Sequence, residues 1–243
     1  MRAVFKREFK GLFHDITGFL FIAAHAFFVG LFLIDHCMKG GRSDAEGILS
    51  KMAIVMAVLL PILLLKIKNG VRKDTESFMR TLPISAAGEV IGKYLATLAV
   101  IFISVILTLL GFAFIGFFGD INYLSVMSAL LIYFLFSMLF ASIYLFITVS
   151  LKGFNASAIV CYAVSVVIFA FGFFGVLLKK VGGGILESIA RRVSPFLRVD
   201  EVVYGIFDIT TVAYFLVLTV LFLLLGIFVA DRRRANARGG VRS

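Results

Sequence analysis

Residues 124–150 read LSVMSALLIYFLFSMLFASIYLFITVS, and this stretch decides the fold because its 27 residues carry no charged side chain. As a helix it would be about 40 Å long, enough to cross the roughly 30 Å hydrocarbon core of a bilayer. Its apolar residues do not alternate with polar ones as they do in the strands of a membrane barrel. Lipid offers no hydrogen-bond partner to a free backbone amide, so the stretch predicts a transmembrane helix.

Five further apolar runs have the same character. The six predicted spans are residues 16–34, 52–65, 94–118, 124–150, 156–178 and 209–230. The second run is shorter than the roughly 20 residues that a span needs. It can borrow Ile48 and Leu49 before it, and Lys66 and Lys68 after it can extend their side chains to the interface. The sequence therefore predicts an all-α, polytopic membrane protein with six transmembrane helices.

The composition of the whole chain agrees with this fold class. Of 243 residues, 61% are hydrophobic and 16% are charged, and the mean hydropathy is +1.08. A soluble domain is about 25% charged and could not bury so much apolar surface, which excludes a soluble enzyme and a disordered chain. Two cysteines, Cys37 and Cys161, make no disulfide framework. We expect no cleaved signal peptide, because the first apolar run is too long and lacks a small-residue cleavage site.

Basic residues predict the orientation. Of the 24 Lys and Arg residues, 16 fall in segments 1–15, 66–93, 151–155 and 231–243, and the other eight fall in 35–51, 119–123 and 179–208. The richer side is expected in the cytoplasm, with both termini there. The net charge of +10 is then explained by the membrane, and no nucleic-acid partner is expected.

The first extramembrane segment, residues 1–15, is predicted to be an interface helix. Phe5, Phe9, Leu12 and Phe13 recur on one helical face, with basic residues beside them. This pattern is typical of an amphipathic helix lying among lipid headgroups. The alternative is that the segment is only the polar start of the first span.

The second segment, residues 66–93, is too long and too patterned for a simple turn. Asn69–Gly70 interrupts the preceding helix, and 71–81 predicts a short charged helix that stops before Pro83. Ser85, with Glu89 close behind, predicts the start of a helix leading into the third span. A third segment, 179–208, predicts short outer helices around Ser194–Pro195, and the arginine-rich tail from Asp231 predicts an inner anchor.

Catalytic and ion-coupling residues are scarce in this sequence. The six runs contain no Asp, Glu, Lys or Arg, and His25 is their one histidine. An ion-coupled carrier would need charged groups inside its spans, so we expect no coupling to an ion gradient. An intramembrane metalloprotease would need the motif H-E-x-x-H, which is absent, so we expect no enzyme. Residues 88–93, GEVIGK, lack the spacing of a phosphate-binding loop. Residues 35–38, Asp-His-Cys-Met, could bind a soft metal from an outer loop or could have an ordinary loop role.

Several motifs together resemble one family. Near the N-terminus, residues 5–13 read FKREFKGLF. In the loop after the second span, residues 72–85 read RKDTESFMRTLPIS and residues 89–95 read EVIGKYL. Before the last span, SPF at 194–196 is followed by VYGIFD at 203–208. Taken in this order along the chain, the motifs resemble those of the permease subunits of type-2 ABC exporters. The resemblance is closest to the branch that contains the gliding-motility and nitrous-oxide-reductase-maturation permeases. His14-Asp15 and Arg72-Lys73 replace a Ser-Pro pair and an acidic pair of that family.

The resemblance implies a single membrane domain over residues 1–243, paired with a second permease copy or a paralogue and with two cytoplasmic ATPase subunits. The ATPases would bind ATP and Mg, and the chain itself would need no cofactor. It also implies that residues 66–93 form the coupling loop. The residues expected to contact the ATPase are Arg72, Lys73, Asp74, Thr75, Glu76 and Arg80. The alternative is that these are only solvated loop charges.

A hydrophobic, lipid-linked or peptide-like cargo suits spans without charges, and the expected location is the bacterial plasma (inner) membrane. Two other functions stay open. One is a non-transporting membrane subunit of an ATPase-driven assembly or mechanical complex. The other is an intramembrane enzyme using His25.

Overall fold

The computed structural model describes residues 1–40, 45–69, 85–117, 122–181, 192–198 and 209–239, and in these ranges it contains helices and no strand. Within the described ranges, the helices longer than one turn are α1 (Arg2–His14), α2 (Thr17–Gly40), α3 (Ala45–Asn69), α4 (Ala86–Ile115), α5 (Tyr123–Ser150), α6 (Phe154–Val181) and α7 (Ile209–Gly239).

Six of these helices, α2 to α7, are long and apolar enough to cross a membrane. The predicted fold class, an all-α polytopic membrane protein, is therefore confirmed. The second span is a full one of 22 residues, Gly47–Lys68, because α3 extends past the predicted run at both ends. The predicted re-entry helix and the third span are one continuous helix, α4, which begins at Ala86.

The central helix of the bundle is α5, which packs against α3, α4, α6 and α7. Its aromatic residues Tyr133, Phe136, Phe140 and Tyr144 are almost completely buried. The helices around it expose long apolar faces, and α7 alone exposes Leu216, Val217, Val220, Leu221, Leu224, Leu225 and Phe228. Such a surface is stable only against lipid or another apolar protein.

Pro61 explains a hydrogen bond that joins α3 to α5. A proline inside a helix has no N–H, so the carbonyl four residues earlier loses its usual donor. That carbonyl belongs to Ala57, and the Tyr144 hydroxyl donates to it at 3.1 Å. The same hydroxyl lies 2.5 Å from the hydroxyl of Ser165 on α6, so Tyr144 links three helices at one point.

The N-terminal helix α1 packs on the start of α4. The predicted helix is present. It buries Val4, Glu8 and Leu12, of which Leu12 belongs to the predicted apolar face. Gly92 on α4 makes this contact possible. A Cβ atom at that position would lie 2.8 Å from the Cβ of Val4, closer than real side chains approach.

Both described chain ends lie at the same end of the bundle. Helix α1 contacts α4 at Gly92, and Arg234 near the end of α7 contacts α4 at Glu89. Six membrane crossings, an even number, would place both chain ends on the same side of the membrane, in agreement with this arrangement. The segment 70–84 joins α3 to α4 at this end, which we call the loop end.

Candidate functional site

The predicted site is the loop between α3 and α4. The six residues expected to contact an ATPase are Arg72, Lys73, Asp74, Thr75, Glu76 and Arg80, and they all lie in 70–84, outside the described residues. The described residues show how the two ends of that segment are held. The contacts there form what we call the loop-end network: Asp15, Lys66, Lys68, Glu89, Lys93, Arg233 and Arg234.

The exit from the loop is a capped helix start. Ser85 is the N-cap of α4, and its hydroxyl accepts a hydrogen bond from the Gly88 backbone N–H at 3.1 Å. This satisfies one of the free amides at the helix N-terminus. The acidic Glu89 sits in the first turn, where the helix dipole favours a negative charge. The predicted start at Ser85 is confirmed.

Glu89 also fastens α4 to the C-terminal helix. One carboxylate oxygen accepts from the Lys93 ammonium at 2.7 Å, and the other accepts from the Arg234 guanidinium at 2.6 Å. These three side chains are between 13% and 28% exposed, so water screens them less than it would a surface pair. The loop exit is thus tied to α7, 145 residues away in sequence.

The loop entry is held by Lys68, the penultimate residue of α3. Its ammonium donates to the carbonyls of Leu151 at 2.7 Å and Gly153 at 2.9 Å, and it also contacts the Ser157 hydroxyl. These acceptors belong to the α5–α6 connection and the first turn of α6. Lys68 therefore fastens α3 to α5 and α6, where the sequence suggested a side chain extended toward the interface.

The C-terminus of α5 attracts the basic side chains of Lys68 and Arg233. The last carbonyls of a helix have no partner within it and form the negative end of its dipole. Arg233 on α7 donates to the Ser150 carbonyl, and Lys68 on α3 donates to the Leu151 carbonyl. Two other helices thus supply the cap that α5 lacks in its own sequence.

A third contact reaches the corner between α1 and α2. Lys66 on α3 pairs with Asp15 at 3.0 Å, beside Ile16, whose φ of 64° is unusual for a β-branched residue. The tail from Asp231 was predicted to be an inner anchor. In the structure α7 continues into this tail as far as Gly239, and Arg233 and Arg234 bind the protein.

His25, the candidate for an intramembrane base, is completely buried, and its Nε2 lies 2.7 Å from the Tyr133 hydroxyl on α5. Its Nδ1 has no partner. No serine or cysteine in the described part of the chain hydrogen-bonds to this ring. The hydroxyls of Ser104 and Ser137 donate to carbonyls four residues earlier in their own helices. The contact that is present joins α2 to α5.

The candidate metal-binding residues 35–38 do not form an outer loop, because α2 continues helically to Gly40. Of their side chains only Asp35 is described, and it pairs with Lys51 at 3.6 Å. Among the described residues no group of three potential metal ligands is found.

Of the predicted outer segment 179–208, the described residues beyond α6 are 192–198, a short helical turn at the end opposite the loop. The Phe196 ring packs edge-on against Phe169 with 5.3 Å between ring centroids, over Gly172 of α6. Tyr214 on α7 donates to the Val193 carbonyl at 2.6 Å. The turn at 192–198 thus contacts α6 through Phe196 of the SPF motif and α7 through Val193.

No protein-family model matches this chain, and no match is found among the curated proteins. Sequence reasoning missed the roles of Lys68, Arg233 and Arg234. The available signal was their position, since each follows a long apolar run by a few residues at the end where α5 leaves its carbonyls open.

Proposed function

We propose that this chain is the permease subunit of an ATP-driven exporter of the type-2 ABC class, moving a hydrophobic, lipid-linked or peptide-like cargo. In this proposal separate ATPase subunits bind ATP and Mg, and residues 66–93 receive their motion. Three features of the described helices support the proposal. Six of the helices can span a membrane, and both described chain ends lie at the loop end. The outer faces of the helices are apolar and exposed, so they can contact lipid or a second permease copy.

One observation carries the proposal: both ends of the loop are fastened to helices other than their own. Lys68 ties the entry to α5 and α6, and Glu89 ties the exit to α7. A soluble motor pulling on residues 70–84 would therefore move five helices, α3 to α7. A loop held only by its own two helices would transmit motion to α3 and α4 alone.

The coupling is tested without knowing the cargo. A fluorescent dye is attached at Lys152→Cys, an exposed position in the α5–α6 connection, in a Cys37→Ser, Cys161→Ser background. The chain is purified with its ATPase and reconstituted in vesicles. We expect ATP to change the dye emission, and Lys68→Met to abolish this change while the ATPase stays bound. Glu89→Gln should weaken the response, because Arg234 then loses its charged partner.

A matched control is Lys51→Met, which removes a lysine ion pair at the opposite end of α3. It should leave the ATP response intact. An unchanged response in Lys68→Met would contradict the coupling route. A full response without flux of any lipid or peptide cargo would favour the non-transporting assembly subunit instead of the exporter.

A further inference from the structure

Helix α1 carries a basic stripe that none of the contacts above uses. Arg2, Lys6, Lys10 and His14 recur every four residues, so they lie on one side of the helix, and all four are exposed. None of them makes an ion pair with an acid in the described part of the chain. The nearest acids are engaged elsewhere, since Glu8 is buried against Arg7 and Asp15 pairs with Lys66.

An aromatic ladder runs along the neighbouring side of α1. The rings of Phe5, Phe9 and Phe13 are half-buried, with centroids 5.7 and 4.9 Å apart along the helix. Phe13 then meets Phe19 at 4.9 Å, edge to face. Phe19 belongs to α2 and is 56% exposed, so the ladder leads from α1 onto the outer face of the first span.

A shallow cavity of about 580 Å³ lies between the ladder and the basic stripe. Its lining residues are Phe9, Lys10, Gly11, Phe13 and His14. The space beside Gly11 is open, since a Cβ atom at that position would meet nothing within 4 Å. The cavity therefore has an apolar floor that continues toward a membrane span, and a rim of cationic and imidazole nitrogen.

We propose that this cavity binds an anionic phospholipid from the surrounding leaflet. Lys10 at the cavity rim and Lys6, exposed one helical turn before it, hold the phosphate, and an acyl chain lies along Phe9, Phe13 and Phe19. The stripe carries basic groups and no acid, so a zwitterionic headgroup, whose ammonium would meet those cations, binds more weakly. The site does not depend on the exporter function.

The test uses the absence of tryptophan from this chain. Phe13→Trp places one reporter in the cavity, and Phe173→Trp places a control reporter on the exposed face of α6. Each full-length variant is reconstituted in vesicles containing equal fractions of brominated phosphatidylglycerol or brominated phosphatidylcholine. We expect brominated phosphatidylglycerol to quench Phe13→Trp more strongly, and both lipids to quench Phe173→Trp equally.

Adding Lys6→Gln and Lys10→Gln to Phe13→Trp should reduce the preference for the anionic lipid by at least tenfold, since each basic group near such a surface contributes about fivefold. Adding Lys6→Arg and Lys10→Arg instead should preserve it, which separates lost charge from lost folding. Equal quenching by both lipids at Phe13→Trp would overturn the proposal, and so would a preference that survives the glutamine substitutions.

Discussion

At the scale of single residues, Pro61 and Tyr144 act as a pair. The proline removes the N–H that would bond the Ala57 carbonyl, and the tyrosine hydroxyl replaces it from another helix. Proline is tolerated in a membrane helix where a neighbour satisfies the freed backbone group. The sequence showed Pro61 inside an apolar run, but the partner lies 87 residues from Ala57 and could not be found by local pattern.

Tyr144→Phe removes this hydrogen bond and should destabilise the chain by about 0.6 kcal/mol, and by no more than about 1.7 kcal/mol. In a Pro61→Ala background position 61 regains its N–H, so the same substitution should cost less. Unfolding in a mixed-micelle titration of the two single variants and the double variant measures the coupling. Equal costs of Tyr144→Phe in both backgrounds would contradict the pairing.

The loop-end network also shows what residue identity alone predicts. The motif at 85–95 correctly placed Ser85 and Glu89 at the start of a helix, because capping and the helix dipole are local effects. Arg234, the second partner of Glu89, is 145 residues away, and Leu151, whose carbonyl accepts from Lys68, is 83 residues away from that lysine; no local pattern encodes such distances. The six loop residues Arg72, Lys73, Asp74, Thr75, Glu76 and Arg80 stay a prediction.

At the scale of elements, the amphipathic pattern of α1 correctly predicted a helix, and the structure adds the side of that helix that packs on α4. Of the predicted apolar face, Leu12 is buried and Phe5, Phe9 and Phe13 are half-buried; the helix also buries Val4 and Glu8. Val4 packs closely there because Gly92 on α4 presents a bare backbone.

Gly92→Ala should loosen α1, because the new Cβ would lie 2.8 Å from the Val4 Cβ and 3.3 Å from the Phe5 backbone nitrogen. We expect a loss of about 1–3 kcal/mol of stability and faster trypsin cleavage after Lys6 and Lys10. Limited proteolysis in detergent measures this directly. Gly30→Ala is the control, since its Cβ meets nothing within 4 Å. Equal cleavage rates in the two variants would contradict the contact.

At the scale of the whole molecule, the six spans were predictable because each is a long run without charge. Their ends were less so. The predicted second span stopped at residue 65, whereas α3 continues to Asn69, since Lys66 and Lys68 are held by Asp15 and by backbone carbonyls. Helix α3 therefore continues through the charged residues Lys66 and Lys68, beyond the residue at which hydropathy alone predicts the end of the span.

The basic residues predict that the loop end faces the cytoplasm. Leu124→Cys and Lys152→Cys mark opposite ends of α5, and both positions are exposed. In a background without Cys37 and Cys161, a membrane-impermeant maleimide should label Leu124→Cys on intact cells. It should label Lys152→Cys only after permeabilisation. The reverse pattern would place the loop and both termini outside and would exclude coupling to a cytoplasmic ATPase.

Purification of the full chain from its native membrane in mild detergent tests the proposed energy coupling most directly. Wild type is compared with a charge-reversed loop, Arg72→Glu, Lys73→Glu, Asp74→Lys and Glu76→Lys, and the preparations are assayed for ATP hydrolysis. We predict that an ABC ATPase, identified by mass spectrometry, co-purifies with wild type and is lost or uncoupled in the variant. A stable, folded wild-type chain that carries no ATPase would contradict the proposal.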